Sequence, residues 1–163
     1  MSTRTIIFGT VGIGILIIIG AVSLTRTPEP VNGATGTLAA EAPEYDFGTI
    51  SMAAGKVKHS YTITNDSDAP VVVTKVYTSC MCTTATLNEG DRVIGPFGMA
   101  GMVGAPVPTI QETIAPHKKA EIEAEFDPAA HGPQGVGPVR RVIYIETQGG
   151  PTLELSFSAV VTP

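Results

Sequence analysis

The feature that most constrains this chain is a series of short segments rich in β-branched residues, separated by turn residues. Residues 57–64 alternate apolar and polar side chains, and residues 70–77 form a nearly continuous apolar run. Alternation with a period of two is typical of a strand with one buried face, whereas the continuous run favours a strand buried on both faces. The 18 glycines and 13 prolines favour turns over helices. The pattern predicts an all-β domain.

The number and spacing of these segments predict a particular class of β domain. Seven or eight strands in about 120 residues, with turns every 8–15 residues or so, are typical of an immunoglobulin-like β-sandwich. We expect strands at 45–50, 57–64, 70–77, 83–87, 120–126, 140–147 and 153–161.

The N-terminal segment predicts export from the cytoplasm. Residues 6–24 contain no charged side chain, and as a helix they would span about 28 Å, close to the hydrocarbon thickness of a bilayer. We expect a single transmembrane helix with residues 1–5 in the cytoplasm, because Arg4 precedes it. A signal peptide cleaved near residues 21–23 is the alternative. Residues 25–43 are predicted to form a flexible linker. Residues 44–163 are predicted to form the β-sandwich domain, which lies outside the cell membrane.

Cys80 and Cys82 are the only cysteines in the chain. On a strand their side chains would share one face, where two soft sulfur ligands can hold Cu(I). A disulfide between them needs a turn, because Cα atoms two apart in an extended strand are about 6.5–7 Å apart. Packed thiols, thiol–disulfide exchange and a disulfide to another molecule remain open. A zinc site is disfavoured, since it needs four ligands and the three histidines are scattered.

Residues 94–110 carry no charge and are rich in glycine and proline. This segment can cover the end of the domain near the thiols, or contact a partner or the membrane. Met99 and Met102 offer thioethers to a Cu(I) site formed with the cysteines. The alternative is that both methionines fill gaps in the packing.

Other polar groups in the sequence point away from catalysis. The net charge of −5 disfavours nucleic-acid binding. Glu121, Glu123 and Glu125 predict the solvated face of an edge or outer strand rather than a calcium or acid–base site. His59 is interpreted as a packed histidine. We find no nucleophile–base pair and no phosphate-binding motif, so we expect no catalytic residue, no enzyme activity and no cofactor other than Cu(I).

Several short motifs together resemble a known family. They are Tyr45-Asp46-Phe47-Gly48-Thr49-Ile50, Tyr61-Thr62-Ile63-Thr64-Asn65, Ser79-Cys80-Met81-Cys82-Thr83, Ile114-Ala115-Pro116 and Phe126-Asp127-Pro128. Over residues 42–161 the chain is similar to the bacterial domain-of-unknown-function 1573 family, whose hallmark is Ser-Cys-Gly-Cys-Thr. The resemblance implies an exported immunoglobulin-like domain and no established activity. Met81 and His117 replace glycines of the family pattern, and the glycine that Met81 replaces is one that can permit a turn with a positive φ.

These observations lead to an expected function. We expect a membrane-anchored, extracytoplasmic binding or scaffolding module without catalysis, with a cell-envelope protein as its partner. The alternative is a Cu(I)-binding or thiol-redox protein that uses Cys80 and Cys82.

Overall fold

The computed structural model describes residues 36–101 and 107–163, and nearly all of their regular structure is β-strand. The strands are β1 (Leu38–Ala40), β2 (Glu44–Ser51), β3 (Val57–Asn65), β4 (Val71–Thr78), β5 (Thr83–Glu89), β6 (Arg92–Phe97), β7 (Glu112–Ile114), β8 (Lys119–Phe126), β9 (Gly137–Thr147) and β10 (Leu153–Thr162). Short 3-10 turns lie at Met52–Ala54 and Gly132–Gly135.

The strands form two five-stranded sheets. The first has the order β1-β3-β8-β5-β6 and the second the order β2-β10-β9-β4-β7. All pairings are antiparallel except that of β2 with β10, which is parallel. The prediction of a mostly β, two-sheet sandwich is confirmed.

The described part of the chain contains more strands than the sequence predicted. The three additional strands, β1, β6 and β7, are short and lack a clear alternation. Residues 38–40, which fall within the predicted linker, pair with β3 as β1. Their strand conformation depends on that pairing, because β-propensity reflects fit to neighbouring strands more than a preference of the backbone alone.

Alternating side chains of the two sheets form the core. In the first sheet Tyr61, Ile63 and Ile122 are buried, and in the second Ile143 and Leu155 are buried. Each fully buried side chain of this size contributes about 1.5–3 kcal/mol relative to an exposed one. The core, rather than a disulfide between sheets, therefore holds the described sandwich together.

Two details of the sequence-based prediction are wrong. Strand β4 is not buried on both faces: Val71 and Val73 are buried, while Val72 and Thr74 are half-buried, as in a strand that covers one side of a core. The three glutamates of β8 lie on the outer face as predicted, but β8 is the central strand of its sheet and not an edge. A strand can be central and still have one solvated face in an antiparallel sheet.

Lysines accompany the glutamates on the outer face of β8. Lys58 lies 2.8 Å from Glu123 and 3.3 Å from Glu125, and Lys56 lies 2.8 Å from Glu125. Hydrogen bonds from these two lysines lower the pKa of the Glu125 carboxyl. The row is a set of surface ion pairs, and it does not have the arrangement of a carboxylate site that awaits a cation.

The predicted membrane segment, residues 6–24, lies outside the described residues. Within residues 36–101 and 107–163, we observe no helix with the length and hydropathy needed to span a bilayer.

Candidate functional site

The two cysteines lie in a turn that connects the sheets. Strand β4 ends at Thr78 in the second sheet, and β5 begins at Thr83 in the first. We call residues 79–82 between them the cysteine turn. Cys80 and Cys82 are joined by a disulfide, and their Cα atoms are 5.3 Å apart. This separation is within the normal disulfide range of about 4.4–6.8 Å, which an extended strand would exceed.

Hydrogen bonds at the base of the cysteine turn hold its shape. The amide of Thr83 donates to the carbonyl of Cys80 at 3.1 Å. The buried hydroxyl of Thr78 lies 3.0 Å from the carbonyl oxygens of both Cys80 and Thr83 and can donate to either. The turn forms without a glycine, because Met81 does not have a positive φ. Met81 is instead the exposed residue at its apex.

Strand β9 brings an arginine to the cysteine turn. Because β9 pairs with β4 and Ile143 lies opposite Thr78, the residues just before Ile143 extend past the end of β4. Val142 accepts a hydrogen bond from the Ser79 amide at 2.9 Å and donates one to the Ser79 hydroxyl at 2.9 Å. These contacts place Arg141 beside the disulfide, where its Nε donates to Cys82 Sγ at 3.2 Å.

Strand β8 brings a histidine to the same place. Phe126, the last residue of β8, pairs with Thr83, the first residue of β5. The amide of Asp127 then donates to the carbonyl of Cys82 at 2.9 Å. The following loop, residues 127–131, turns back over the cysteines and ends with His131, whose Nε2 lies 3.2 Å from Cys80 Sγ.

The result is a site of two sulfurs, an imidazole and a guanidinium. The ligand atoms of Cys80, Cys82 and His131 lie within 4.8 Å of one another. Both cysteines are buried, whereas His131 is exposed. A shallow cleft of about 350 Å³ adjoins the site, lined by His131, Gln134, Gly135, Val136, Pro138, Val139 and Arg141. Solvent and small molecules can therefore reach the site from the side of His131.

Of the two methionines proposed as ligands, Met99 lies within the described residues and Met102 does not. Met99 forms a parallel bridge with Thr78, and Gly98 accepts a hydrogen bond from the Thr78 amide at 3.0 Å. This part of the apolar segment thus lies beside the strand that leads into the cysteine turn. Met102 lies outside the described residues, so its predicted role as a ligand stays a prediction.

His131 and Arg141 are the members of the site that the sequence analysis missed. They lie 51 and 59 residues from their cysteine partners, and no spacing motif links them. The motif Phe126-Asp127-Pro128 was the available signal, since it marks the end of the strand beside the cysteine turn.

His59 is packed, as the sequence predicted. Its ring stacks on Tyr45 at a centroid distance of 3.6 Å and meets the ring of Tyr61 edge to face at 4.6 Å. Burial lowers the pKa of His59. It is part of an aromatic cluster on β2 and β3 and is not a ligand in the cysteine site.

The fold and the site together define a class. The chain contains an immunoglobulin-like β-sandwich with a Cys-x-Cys site in the turn that joins its sheets. The family model of the proteins of unknown function DUF1573 matches residues 38–95, a segment that includes both cysteines. The resemblance noted in the sequence is confirmed over these residues.

Solved structures support the fold. A protein of unknown function from Porphyromonas gingivalis W83 aligns with a TM-score of 0.57 and 18% identity, over 83% of this chain and 51% of that chain. The present chain thus spans about half the length of that protein. A family 123 glycoside hydrolase from Clostridium perfringens aligns with a TM-score of 0.50 and 7% identity, over 78% of this chain and 27% of that chain.

At these sequence identities, the structural similarities show the fold and nothing about the function of this chain. No curated protein matches the sequence.

Proposed function

We propose that the chain is a membrane-anchored, extracytoplasmic module that binds another protein of the cell envelope and has no catalytic activity. The uncharged stretch at residues 6–24 supports the anchor. The sandwich supports the binding role, because such domains commonly recognise partners through loops and sheet edges.

The observation that carries the binding role is the open edge formed by β2. It is eight residues long and stands at the end of the second sheet, with β10 as its neighbour in the sheet. The other sheet edges are poorer acceptors of a partner strand: β1 and β7 have three residues each, and β6 contains Pro96, which lacks an amide hydrogen. Strand β2 has neither a proline nor a lysine to block pairing.

The geometry of β2 limits the length of a partner strand. The register with β10 shifts between Ser158 and Val160, and Gly48 adopts a φ of 66° at this level of β2. Such a bulge interrupts regular pairing. We therefore expect a partner to pair with one half of β2, with the exposed ring of Tyr45 available for a side-chain contact.

Site-specific photocrosslinking in intact cells tests this function. A crosslinking residue replaces Tyr45 in β2 and, as the control, Glu121 on the outer face of β8. We expect a discrete protein adduct from position 45 that Glu44→Lys removes, because a lysine in the same half of the β2 edge opposes strand pairing. Ser60→Lys, an equally exposed change on β3, leaves the adduct intact. Adducts of equal yield from both positions, or none from position 45, would contradict the proposal.

A second candidate function, thiol–disulfide exchange, is favoured by the contact between Arg141 and Cys82. An external thiolate would attack Cys80 Sγ and form a mixed disulfide, while the electron pair of the Cys80–Cys82 bond leaves with Cys82 as a thiolate. The guanidinium of Arg141 stabilises that leaving thiolate. A second thiol of the same dithiol then displaces Cys80, so the chain is reduced and the external dithiol is oxidised.

The rate of reduction by dithiothreitol tests this second function. Arg141→Gln is expected to slow reduction by about tenfold, since a hydrogen bond to a charged group is worth roughly 1.5–3 kcal/mol. Arg140→Gln is the matched control, because Arg140 contacts Glu44 and Ser156 and not the disulfide. Equal rates for the native chain and both variants would rule out this role for Arg141.

A further inference from the structure

We infer that, once the disulfide is reduced, Cys80, Cys82 and His131 form a binding site for one Cu(I) ion. This inference goes beyond the partner-binding function. It uses the same cysteines as the exchange reaction, but it adds a ligand that exchange does not need.

The three ligand atoms already converge. His131 Nε2 is 3.2 Å from Cys80 Sγ, and all three ligand atoms lie within 4.8 Å of one another. When the S–S bond is broken, the two sulfurs separate, and the gap between them and the imidazole is where a shared ion would lie. No large movement of the backbone is needed, since the Cα atoms of the cysteines are already 5.3 Å apart.

The donor set selects a soft ion. Two thiolates favour Cu(I), zinc or an iron–sulfur cluster, and imidazole suits copper and zinc. Structural zinc sites take four protein ligands, zinc on two cysteines and one histidine needs water as a fourth ligand, and iron–sulfur clusters take four cysteines or a close variant. Within residues 36–101 and 107–163, the His, Cys, Asp or Glu side chains close enough to share this ion are Cys80, Cys82 and His131. Two thiolates and one imidazole in a partly buried turn therefore favour Cu(I), which binds in three-coordinate sites without a fourth ligand.

The charge of the site also fits. Two thiolates and Cu(I) carry a net charge of −1, and an unpaired charge in a buried site is costly. The guanidinium of Arg141 donates to Cys82 Sγ at 3.2 Å and supplies the opposite charge.

The surrounding structure fixes the ligands before a metal arrives. The Ser79–Val142 hydrogen bonds tie the cysteine turn to β9, and the Asp127–Cys82 hydrogen bond ties it to the loop that carries His131. Gly135 packs against this loop so closely that a Cβ there would lie 3.3 Å from His131 Cβ. A ligand set held in this way loses little conformational entropy when it binds an ion.

Metal binding requires a preceding two-electron reduction. An external dithiol transfers two electrons and two protons to the Cys80–Cys82 disulfide and becomes a disulfide itself. Cu(I) then replaces the two thiol protons, which are released to solvent. The oxidised and metal-bound forms of the site are therefore mutually exclusive.

Cu(I) titration of the full chain in detergent micelles tests the inference. The protein is reduced, freed of reductant without oxygen, and titrated with Cu(I) against a chromophoric Cu(I) chelator. We expect one equivalent to bind, with affinity lowered at least tenfold in His131→Asn and binding lost in the Cys80→Ser, Cys82→Ser double variant. His117→Asn is the matched histidine control and keeps native affinity, because His117 contacts Asp68 and not the cysteines. X-ray absorption of the loaded protein should show two sulfur neighbours and one nitrogen neighbour.

Three results would overturn the inference: binding no tighter than that of the double serine variant, native affinity in His131→Asn, or preferential binding of zinc when both ions are offered. Equally tight binding by the oxidised chain would overturn it as well. The other two proposals are tested by separate measurements. Thiol–disulfide exchange is measured without metal, from the effect of Arg141→Gln on the rate of reduction. Partner binding is measured by crosslinking at β2.

Discussion

His131 Nε2 lies 3.2 Å from Cys80 Sγ, although 51 residues separate the two in the chain. One strand pairing produces this contact. Strand β8 runs antiparallel to β5, so the residues that follow Phe126 emerge beside the residues that precede Thr83. The turn that holds the cysteines is thus also the place where a loop from the neighbouring strand returns. This arrangement is the structural basis for the metal proposal.

The hydroxyl of Thr78 should be important for the shape of the cysteine turn. In Thr78→Val the shape of the side chain is kept, but the two carbonyl oxygens that face the hydroxyl lose a buried donor. We expect a loss of about 1–2 kcal/mol in unfolding free energy. Urea unfolding followed by circular dichroism measures it. Thr78→Ser should recover most of the loss, and Thr84→Val, at a half-buried position on β5, should change little. A loss as large in Thr84→Val would show that the hydroxyl of Thr78 has no special role.

Asn65 should be among the most sensitive polar positions of the sandwich. It is fully buried, and its Nδ2 donates to the carbonyls of Ala69 at 2.8 Å and Ile114 at 2.9 Å. Asn65→Ala removes both of these hydrogen bonds and leaves the Ser67 hydroxyl as a donor to the Ala69 carbonyl alone, and we expect a loss of about 2–4 kcal/mol. The shift of the urea midpoint measures this loss. Asn88→Ala, at a half-buried position on β5, is the control, and a similar loss in both variants would contradict the prediction.

Replacing His117 by glycine should stabilise the chain. His117 has a φ of 57°, a left-handed conformation that costs a residue with a Cβ about 1–2 kcal/mol. Its ring contacts Asp68 at 2.9 Å, but both side chains are exposed, and such a pair contributes little. We expect His117→Gly to raise the unfolding free energy by about 0.5–1 kcal/mol after the greater entropy of glycine in the unfolded chain is counted. His117→Ala keeps the backbone strain and should give no gain, so equal stabilisation by both changes would refute the backbone explanation.

Tyr61 should make the stability fall at alkaline pH. Its hydroxyl donates to the Ser156 carbonyl at 2.8 Å, and burial raises the pKa of Tyr61 well above its ordinary value of 10.0. In the unfolded chain the phenol loses its proton near pH 10, whereas in the folded chain it keeps it. The contribution of Tyr61 is therefore fully present below pH 10 and is lost progressively as the pH rises toward the raised folded-state pKa.

Tyr61→Phe measures this contribution. Near pH 8 the variant should be less stable by about 1 kcal/mol, because the hydrogen bond is lost. Above pH 10 the difference should shrink and then reverse, by up to about 1.4 kcal/mol per pH unit. Urea unfolding at pH 8, 10 and 11 provides the comparison. If the difference does not change with pH, the Tyr61 phenol loses its proton at the same pH in the folded and unfolded chains, and the prediction is wrong.

The family glycines illustrate how far a pattern predicts local structure. The pattern has glycine at both position 81 and position 117, yet only His117 adopts a positive φ, while Met81 does not. The difference lies in the hydrogen bonds. The His117 amide donates to the Asn65 carbonyl at 2.9 Å within a left-handed turn, whereas the cysteine turn is closed by Thr78 and by the disulfide.

The sequence by itself determined the class of fold and the position of the cysteines within it. Alternation along residues 57–64 is a local property, and it predicted β3 because burial of one face requires that period. The same local information pointed to Cys80 and Cys82 as candidate soft ligands.

Only the tertiary structure decided what surrounds the cysteines. The strand order of each sheet places β8 beside β5 and β9 beside β4, and these pairings bring His131 and Arg141 to the two sulfurs. Strands β1, β6 and β7 also form because neighbouring strands offer them hydrogen bonds. Pairing between distant segments depends on the packing of the whole sandwich, and a local sequence pattern does not contain it.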